Sequence, residues 1–407
     1  MTAAHLTTRP LRVLIAGAGV AALEATLALR KLAEDRVDIE LLAPDGEFVY
    51  RPMAVAEPFG RGEARRFPLV RLVELAGARL RRGTLARVDL DRHRATTKAG
   101  RELEWDVLLM ALGARAREGI AGGLTFRGPQ DRAELTRLVD DALAGRVRSL
   151  TFALPTLASW PLPLYELALM TKIRLEDRGA VDVQVDLVTP ESEPLAVFGR
   201  EASASIKSLL ETRGIGLHTN TTPVVFRDGA LVVVPGRAIR TERVVSLPVP
   251  EGRRIPGMPV DGRGFVRTDE HGRVDGREDV YAAGDITTFP LKQGGIAAQQ
   301  ADAAAESIAA LAGAPTEPRP FRPVLRGLLL TGLTPRFMAA GVLDASSEID
   351  SEPLWWPPAK IVGRYLAPFL AEHVGISAEP PSDALTTSGV RVDIELERVE
   401  GEWVSPR

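Results

Sequence analysis

Few residues of this chain are equipped for chemistry, and most of them stand beside glycines. Gly17-Ala18-Gly19-Val20-Ala21-Ala22 follows an apolar run of strand length, Val13 to Ala16, and precedes an Ala/Leu-rich stretch free of proline. The pattern predicts a strand, a tight turn and a helix. Gly17 lets the chain reverse where a Cβ would clash, and Gly19 leaves the backbone bare. A pyrophosphate can then sit against the helix N-terminus at Val20 and Ala21, where unpaired N–H groups and the positive dipole end favour an anion. About 265 residues later, Asp279-Val-Tyr-Ala-Ala-Gly284-Asp285 reads as another short strand ending in Gly-Asp, and Asp285 can accept a hydrogen bond from a hydroxyl. A third stretch, Glu104-Trp-Asp106-Val-Leu-Leu-Met-Ala111-Leu-Gly113-Ala, lies between them.

In this order the three stretches resemble the two-part FAD site of the pyridine nucleotide–disulphide oxidoreductase superfamily. The middle one is similar to its Asp-x-Leu-hydrophobic-Ala-Thr-Gly segment, with Leu112 in place of Thr. The resemblance implies FAD as cofactor, with Gly17, Gly19, Val20 and Ala21 at the pyrophosphate, Ala111, Gly113 and Gly284 against the cofactor, and Asp285 at the ribityl chain. The usual ribose-binding acid at the end of the second strand, Val37 to Ala43, is replaced by Ala43. Asp45 or Glu47, just beyond, could take that role, as could backbone groups.

The loop Glu47-Phe-Val-Tyr50-Arg51-Pro52-Met53 resembles the loop that crosses the flavin in type II NADH dehydrogenases and sulfide:quinone oxidoreductases. Tyr50 or Arg51 would line the isoalloxazine or contact a phosphate; the alternative is an ordinary loop with one buried aromatic. Farther on, Leu291-Lys292-Gln293-Gly294-Gly295-Ile296 opens a long Ala-rich helix, Ala297 to Leu311. Gly294 and Gly295 would aim N–H groups and the helix dipole at the flavin N1–C2=O edge, which becomes negative on reduction. Lys292 either adds a charge there or is a solvated helix-entry residue. Tyr50 and Lys292 are the catalytic candidates. Ala298-Gln299-Gln300 is similar to the quinone-side Ala-Gln segment of type II NADH dehydrogenases.

Composition excludes several chemistries. The 407 residues include no cysteine, so no disulfide, thiolate metal site or thiol redox step can operate, and the persulfide route of the sulfide-oxidising relatives is closed. Five histidines at no metal-ligand spacing give no metal site. A net charge of −3 gives no case for nucleic acid. Only six of the 51 basic residues are lysine, and the arginines are scattered through the chain. The N-terminal stretch has no apolar signal segment, and the longest uncharged run, Ser149 to Tyr165, is broken by Pro155, Pro161 and Pro163. A soluble cytoplasmic protein without a transmembrane segment is expected, with peripheral membrane contact as the weaker alternative.

The elements that must position these residues fall into four stretches: 10–117, a first part of an FAD-binding domain; 118–245, a second dinucleotide-binding-like unit; 246–315, the second part of the FAD domain; and 316–407, a C-terminal interface domain. In the second unit the expected Gly-x-Gly turn reads Ala153-Leu-Pro155-Thr-Leu-Ala-Ser-Trp160-Pro-Leu-Pro163, with no glycine. Prolines and Cβ atoms there remove space and N–H donors, which points away from NAD(P)H and type II NADH dehydrogenases. The exit Leu187-Val-Thr189-Pro190-Glu191, then Phe198-Gly199, resembles that of sulfide:quinone oxidoreductases and flavocytochrome c sulfide dehydrogenases. Trp160 and Glu166 read either as a remodelled pocket or as a packing plug and helix surface. An amphipathic helix is expected over 205–216, a hairpin over 224–234 turning at Asp228-Gly229, a strand pair at 324–331 and 335–341, a final strand at 389–399, and a helical apolar stripe at 361, 362, 365, 366, 369 and 370. That stripe would pack on the FAD domain or on a second subunit.

The expected fold is α/β, two nested Rossmann-like dinucleotide-binding domains, the first split in sequence, plus a small C-terminal α+β domain. The expected function is FAD-dependent oxidoreduction through flavin N5, of sulfide:quinone oxidoreductase-like architecture, with a small-molecule donor and acceptor, the acceptor being a quinone in one version, and with a homodimer as one assembly. The alternatives are an NAD(P)H:quinone oxidoreductase and a flavin-binding scaffold or redox sensor without turnover.

Overall fold

The computed structural model describes residues 9–340, 347–350, 354–355, 357–373, 398–399 and 402–403. Its first sheet is parallel and drawn from distant parts of the chain, in the order 280–282, 107–110, 11–16, 37–43 and 79–82. The strand Leu11–Ala16 sits at its centre, with Val13 opposite Ile39 on one side and Val107 on the other. From Val13 to Ala16 it is buried on both faces, as the unbroken apolar run requires. Val13 and Ile15 face helices α1 (Val20–Ala33) and α6 (Gly294–Leu311), while Leu14 and Ala16 face a small antiparallel sheet, 85–89, 94–97 and 102–104, around the fully buried Trp105.

The second sheet repeats this plan with strands 124–125, 243–246, 149–153, 184–188 and 215–218, all parallel. The seven helices described are α1, α2 (Leu69–Leu75), α3 (Arg132–Leu143), α4 (Leu162–Asp177), α5 (Gly199–Thr212), α6 and α7 (Leu366–His373). Helices α3, α4 and α5 pack with one face of the second sheet; the hairpin 222–227 and 230–234, turning at Asp228-Gly229 as expected, covers the other through Leu231 and Val233. Two short antiparallel strands, 115–117 and 249–251, carry the chain between the two units. The fold is thus α/β with two Rossmann-like units, and the first is assembled from segments on both sides of the second.

The expected strand pair near 330 forms, 325–329 with 336–340, and gains a third strand at 347–350. Gly327 is required there by close approach, since a Cβ would stand 2.4 Å from the Phe198 ring. Two helix expectations are corrected. The helix expected over 205–216 begins at Gly199 and ends at Thr212, before the turn at Gly214. The stripe at 361–370 is not one helix: residues 360–365 run without helix, and α7 starts only at Leu366. Pro368 stands in its first turn, where a missing N–H costs nothing. The strand expected over 389–399 lies outside the described residues except for 398–399. Among the described residues no helix is long and apolar enough to cross a membrane.

Candidate functional site

The glycine turn after the first strand is shaped by contact and by conformation. Gly17 has φ +128°, its N–H donates to the Leu42 carbonyl at 3.0 Å, and a Cβ would lie 2.2 Å from the Ala111 carbonyl oxygen. The first and middle motifs therefore touch. A Cβ on Gly19 would meet nothing within 4 Å. Gly19 precedes α1 without a side-chain cap, and the first turn of α1, with Val20 and Ala21, contains no acidic residue. This is an open helix N-terminus suited to an anion.

The late motif closes on the same place. Gly284 has φ +81°, and a Cβ there would sit 3.2 Å from Ala21 and 3.3 Å from Ala297, so the turn is wedged between α1 and α6. Gln300 holds it: its Oε1 accepts the Gly284 N–H at 2.7 Å. Gln299 instead exchanges hydrogen bonds with Val324, tying α6 to the C-terminal sheet. Both glutamines thus have structural partners. Gly113, at φ +64°, ends the middle motif.

Arg253, which local sequence did not single out, stands beside these motifs. It donates to the Ala114 carbonyl at 3.5 Å, and its buried Nε has no partner. Burial and then the charges of Arg115 and Arg51 draw it below the usual arginine range, against the pull of Asp45. Guanidiniums gathered beside an open helix N-terminus fit a bound pyrophosphate, which would satisfy them together. No local pattern marks Arg253 among so many arginines; only the tertiary clustering does. Asp45 is exposed and within electrostatic reach of Arg253.

A cavity of about 320 Å³ opens where the units meet. Arg51, Asp285, Lys292 and Gly294 line it from the first unit, Phe126, Trp160, Glu166 and Pro248 from the second, and Lys360 and Ile361 from the C-terminal part. Gly295 lies behind Gly294 against the Gln293 side chain, which accepts the Ile296 N–H at 2.8 Å and so caps α6. Burial raises the Asp285 carboxyl, while Lys292 and Arg51 oppose the rise. Lys292 is drawn down to about 8 by burial, with Asp285 opposing. It donates to the Thr287 carbonyl and stands 4.1 Å over the Phe265 ring, so it is no free solvated residue. The Tyr50 hydroxyl accepts the Ile361 N–H at 3.0 Å, and burial pushes it up to about 12.

Across the cavity, Lys360 Nζ lies 2.6 Å from both oxygens of Glu166, which also accepts the Leu330 N–H at 2.8 Å. Glu166 is therefore not helix surface. Its carboxyl is raised by burial and held back by Lys360. Sequence reasoning missed Lys360 because its partner lies 194 positions away.

The second unit keeps the fold of a dinucleotide site, but its turn carries prolines and an aromatic in place of glycines. Pro161 precedes α4 and Pro163 stands in its first turn. Trp160 meets Phe198 edge to face at 5.8 Å, and Ser159 Oγ donates to the Pro248 carbonyl at 2.8 Å. Glu191, past the strand 184–188 where a nucleotide ribose would be held, is turned inward and accepts the Tyr165 hydroxyl at 2.6 Å and the Thr189 hydroxyl at 2.8 Å.

The model of the family Pyridine nucleotide-disulphide oxidoreductase matches residues 166–306. No curated protein matches the chain in sequence. Among solved structures, the sulfide:quinone oxidoreductase of the hyperthermophilic bacterium Aquifex aeolicus superposes with a TM-score of 0.78 at 17% identity, over 98% of this chain and 100% of that one. A ferredoxin reductase of the CYP199A2 system from Rhodopseudomonas palustris gives 0.63 at 18% identity, over 81% and 82%. NDH2 of Plasmodium falciparum, in complex with NADH, gives 0.56 at 14% identity, over 69% and 65%. At these identities the structures speak for the fold. Joined to the family match over residues 166–306 and to the two Rossmann-like units, they support the fold of the pyridine nucleotide–disulphide oxidoreductase superfamily for this chain.

Proposed function

We propose that the protein is an FAD-dependent oxidoreductase of sulfide:quinone oxidoreductase-like architecture, whose donor is neither a nicotinamide nucleotide nor sulfide by a cysteine persulfide route. The observation that carries this reading is the meeting, in one cavity, of Asp285, Lys292 and Gly294 with Trp160 and the Glu166–Lys360 pair.

The residues present fit the cofactor. Gly19 leaves room at the α1 N-terminus, and the partnerless Arg253 Nε lies beside the loop that packs on Gly17. In this reading Gly17, Gly19, Val20 and Ala21 with Arg51 and Arg253 hold the pyrophosphate, Ala111, Gly113 and Gly284 shape the walls, and Asp285 accepts a ribityl hydroxyl. When bound, FAD supplies transfer of a hydride or of electrons at N5. Lys292 and the α6 N-terminus at Gly294 and Gly295 place positive potential in the cavity, which favours electron uptake. Glu166 Oε and Lys360 Nζ can hold or pass a proton at the opposite wall, and the apolar lining of Phe126, Trp160 and Pro248 excludes water.

The NAD(P)H:quinone alternative is disfavoured by Pro161 and Pro163, which stand where bare backbone would meet a pyrophosphate, by Trp160 beside them, and by Glu191, which is turned inward to Tyr165. A small donor and a small acceptor, a quinone among the candidates, suit the cavity better. An absorption spectrum of the purified protein, followed by anaerobic titration with NADH and NADPH, tests the reading. Flavin bands that neither nucleotide bleaches are expected. Bleaching by one of them would revive the dehydrogenase alternative, and a colourless protein that FAD cannot reconstitute would sink the reading. A flavin that no donor reduces and no acceptor reoxidises would favour the scaffold alternative.

A further inference from the structure

Between the C-terminal sheet and α7 the chain runs through Lys360-Ile-Val-Gly363-Arg-Tyr-Leu366, and each end of this stretch is fixed to a different unit. At one end Lys360 reaches α4 of the second unit through Glu166. At the other end the N–H groups of Tyr365 and Leu366 donate at 2.7 and 2.8 Å to Glu24, a fully buried carboxylate on α1 of the first unit. Gly363 is pressed against that carboxylate, where a Cβ would lie 2.4 Å from Glu24 Oε2. Between the ends, Ile361 covers Gly294 at the start of α6 and donates its N–H to Tyr50.

A glutamate inside a helix that packs on a Rossmann sheet has no reason to be buried unless it binds something. Here it binds the backbone of this stretch. We propose that residues 360–366 form a clasp that closes the cavity across both units, and that Glu24 is the positioning residue that holds Lys360 in the cavity wall. The role given to Lys360 rests on the oxidoreductase reading; the clasp itself does not.

The anchor includes a second acid. Asp302 on α6 hydrogen-bonds Glu24 side chain to side chain, and its Oδ1 has no hydrogen-bond partner. Two carboxyls in contact share one proton. Burial raises both carboxyls, but the N–H donors of the clasp oppose the rise at Glu24, so Asp302 carries the proton; burial and then Glu24 push Asp302 up to about 9. The other charged or titratable groups that face the pair are Arg364 and the neutral Tyr365 on the clasp, Glu306 on α6, and Arg319, which pairs with Glu306. Arg364 pulls Asp302 down and Glu306 pushes it up. Opening the clasp exposes the pair to water and releases the Asp302 proton at any pH above the ordinary carboxylate range. Opening therefore becomes easier as pH rises toward about 9 and levels off beyond it.

The chain's six lysines permit a direct test. The FAD-reconstituted protein is pulse-labelled with an amine-reactive acyl ester, and labelling of the enclosed Lys360 is divided by that of the exposed Lys98, by mass spectrometry. The expected ratio is low for the parent protein and at least tenfold higher in Glu24→Gln and in Gly363→Ala, which adds only a methyl group and spares the core should the first variant fold poorly. In the parent the ratio should climb between pH 6 and 9 by up to about tenfold per unit. In Asp302→Asn, whose amide still donates to Glu24, it should stay flat. An unchanged ratio in Gly363→Ala, or an undiminished climb in Asp302→Asn, would overturn the clasp. Labelling reads no electron transfer, so a failed redox titration leaves this result standing, and a failed clasp leaves the redox reading standing.

Discussion

Lys360 and Glu166 form a two-pronged ion pair inside the cavity wall, with side chains 6% and 0% exposed. A pair so enclosed has given up hydration on both sides and recovers it chiefly through the partner, with the Leu330 N–H adding to Glu166. Removing one member, by Lys360→Met or Glu166→Leu, should cost about 3–5 kcal/mol because the other charge is left buried alone. The double variant should unfold within about 1 kcal/mol of the parent if shape is kept. Urea unfolding of the three variants checks this, and a double variant as unstable as the worse single one would show that the pair is not the main partner of either residue.

Two glycines of one turn should behave in opposite ways. At Gly17 an added Cβ collides with the Ala111 carbonyl and the backbone is left-handed, so Gly17→Ala should disturb the packing of the first strand on the middle motif and lower stability even without cofactor. At Gly19 the Cβ meets only open space. Gly19→Ala should melt with the parent as apoprotein, yet bind FAD at least tenfold more weakly, about 1.4 kcal/mol, because the methyl intrudes where the phosphates approach. Thermal melts and fluorescence titration with FAD separate the two. Equal FAD affinity in Gly19→Ala would remove the pyrophosphate from that turn.

That contrast also marks how far the sequence could be read. Glycine turns and unbroken apolar strands carry their reasons locally, so Gly17, Gly19 and Gly284 identified the first unit although its strands are scattered along the chain. The absence of glycine between Ala153 and Pro163 was likewise legible, and in the structure Trp160 and the two prolines stand at that turn. What stayed hidden depends on distance along the chain. Glu166 reads as helix surface until Lys360 is brought to it, and Arg253 is one arginine among many until Arg51 and Arg115 stand beside it. The apolar stripe at 361–370 had helical spacing for a different reason: Ile361 is buried by Gly294 and Leu366 by the α1 side of the first unit, with an irregular run between.

The inward-turned Glu191 gives a test of the second unit. Tyr165→Phe removes the 2.6 Å donor to a buried carboxylate that burial already raises. The expected loss is about 1–3 kcal/mol of stability, since Glu191 keeps Thr189 but must face an apolar ring edge. Because Trp160 and the two prolines still fill the turn, the variant should gain no affinity for NADH. Calorimetric titration with NADH and a urea melt on the same variant check both statements. Tight NADH binding by either protein would mean that the filled turn can open.

Lys292 offers the clearest pH dependence. Burial lowers its pKa to about 8, well under the value of about 10.4 for an exposed lysine in the unfolded chain. Between those two values the unfolded chain binds more protons than the folded one, so stability rises with pH through that window, and below about pH 8 the folded protein carries the full cost of an enclosed charge. Lys292→Met should therefore stabilise the apoprotein at pH 7, with the gain shrinking as pH climbs from 8 toward 10.5. The same change should work against function, because it withdraws positive potential from the cavity where Asp285 and Gly294 lie. A bound flavin should become harder to reduce, by tens of millivolts if the charge is felt across a partly screened site, and the difference from the parent should fade above about pH 8 as the lysine itself loses its proton. Urea melts of the apoprotein at pH 7 and 10, with spectroscopic redox titration of the FAD-loaded variant at pH 6.5 and 9, measure the two effects. A potential shift that is the same at both pH values would mean that Lys292 acts through packing and not through its charge.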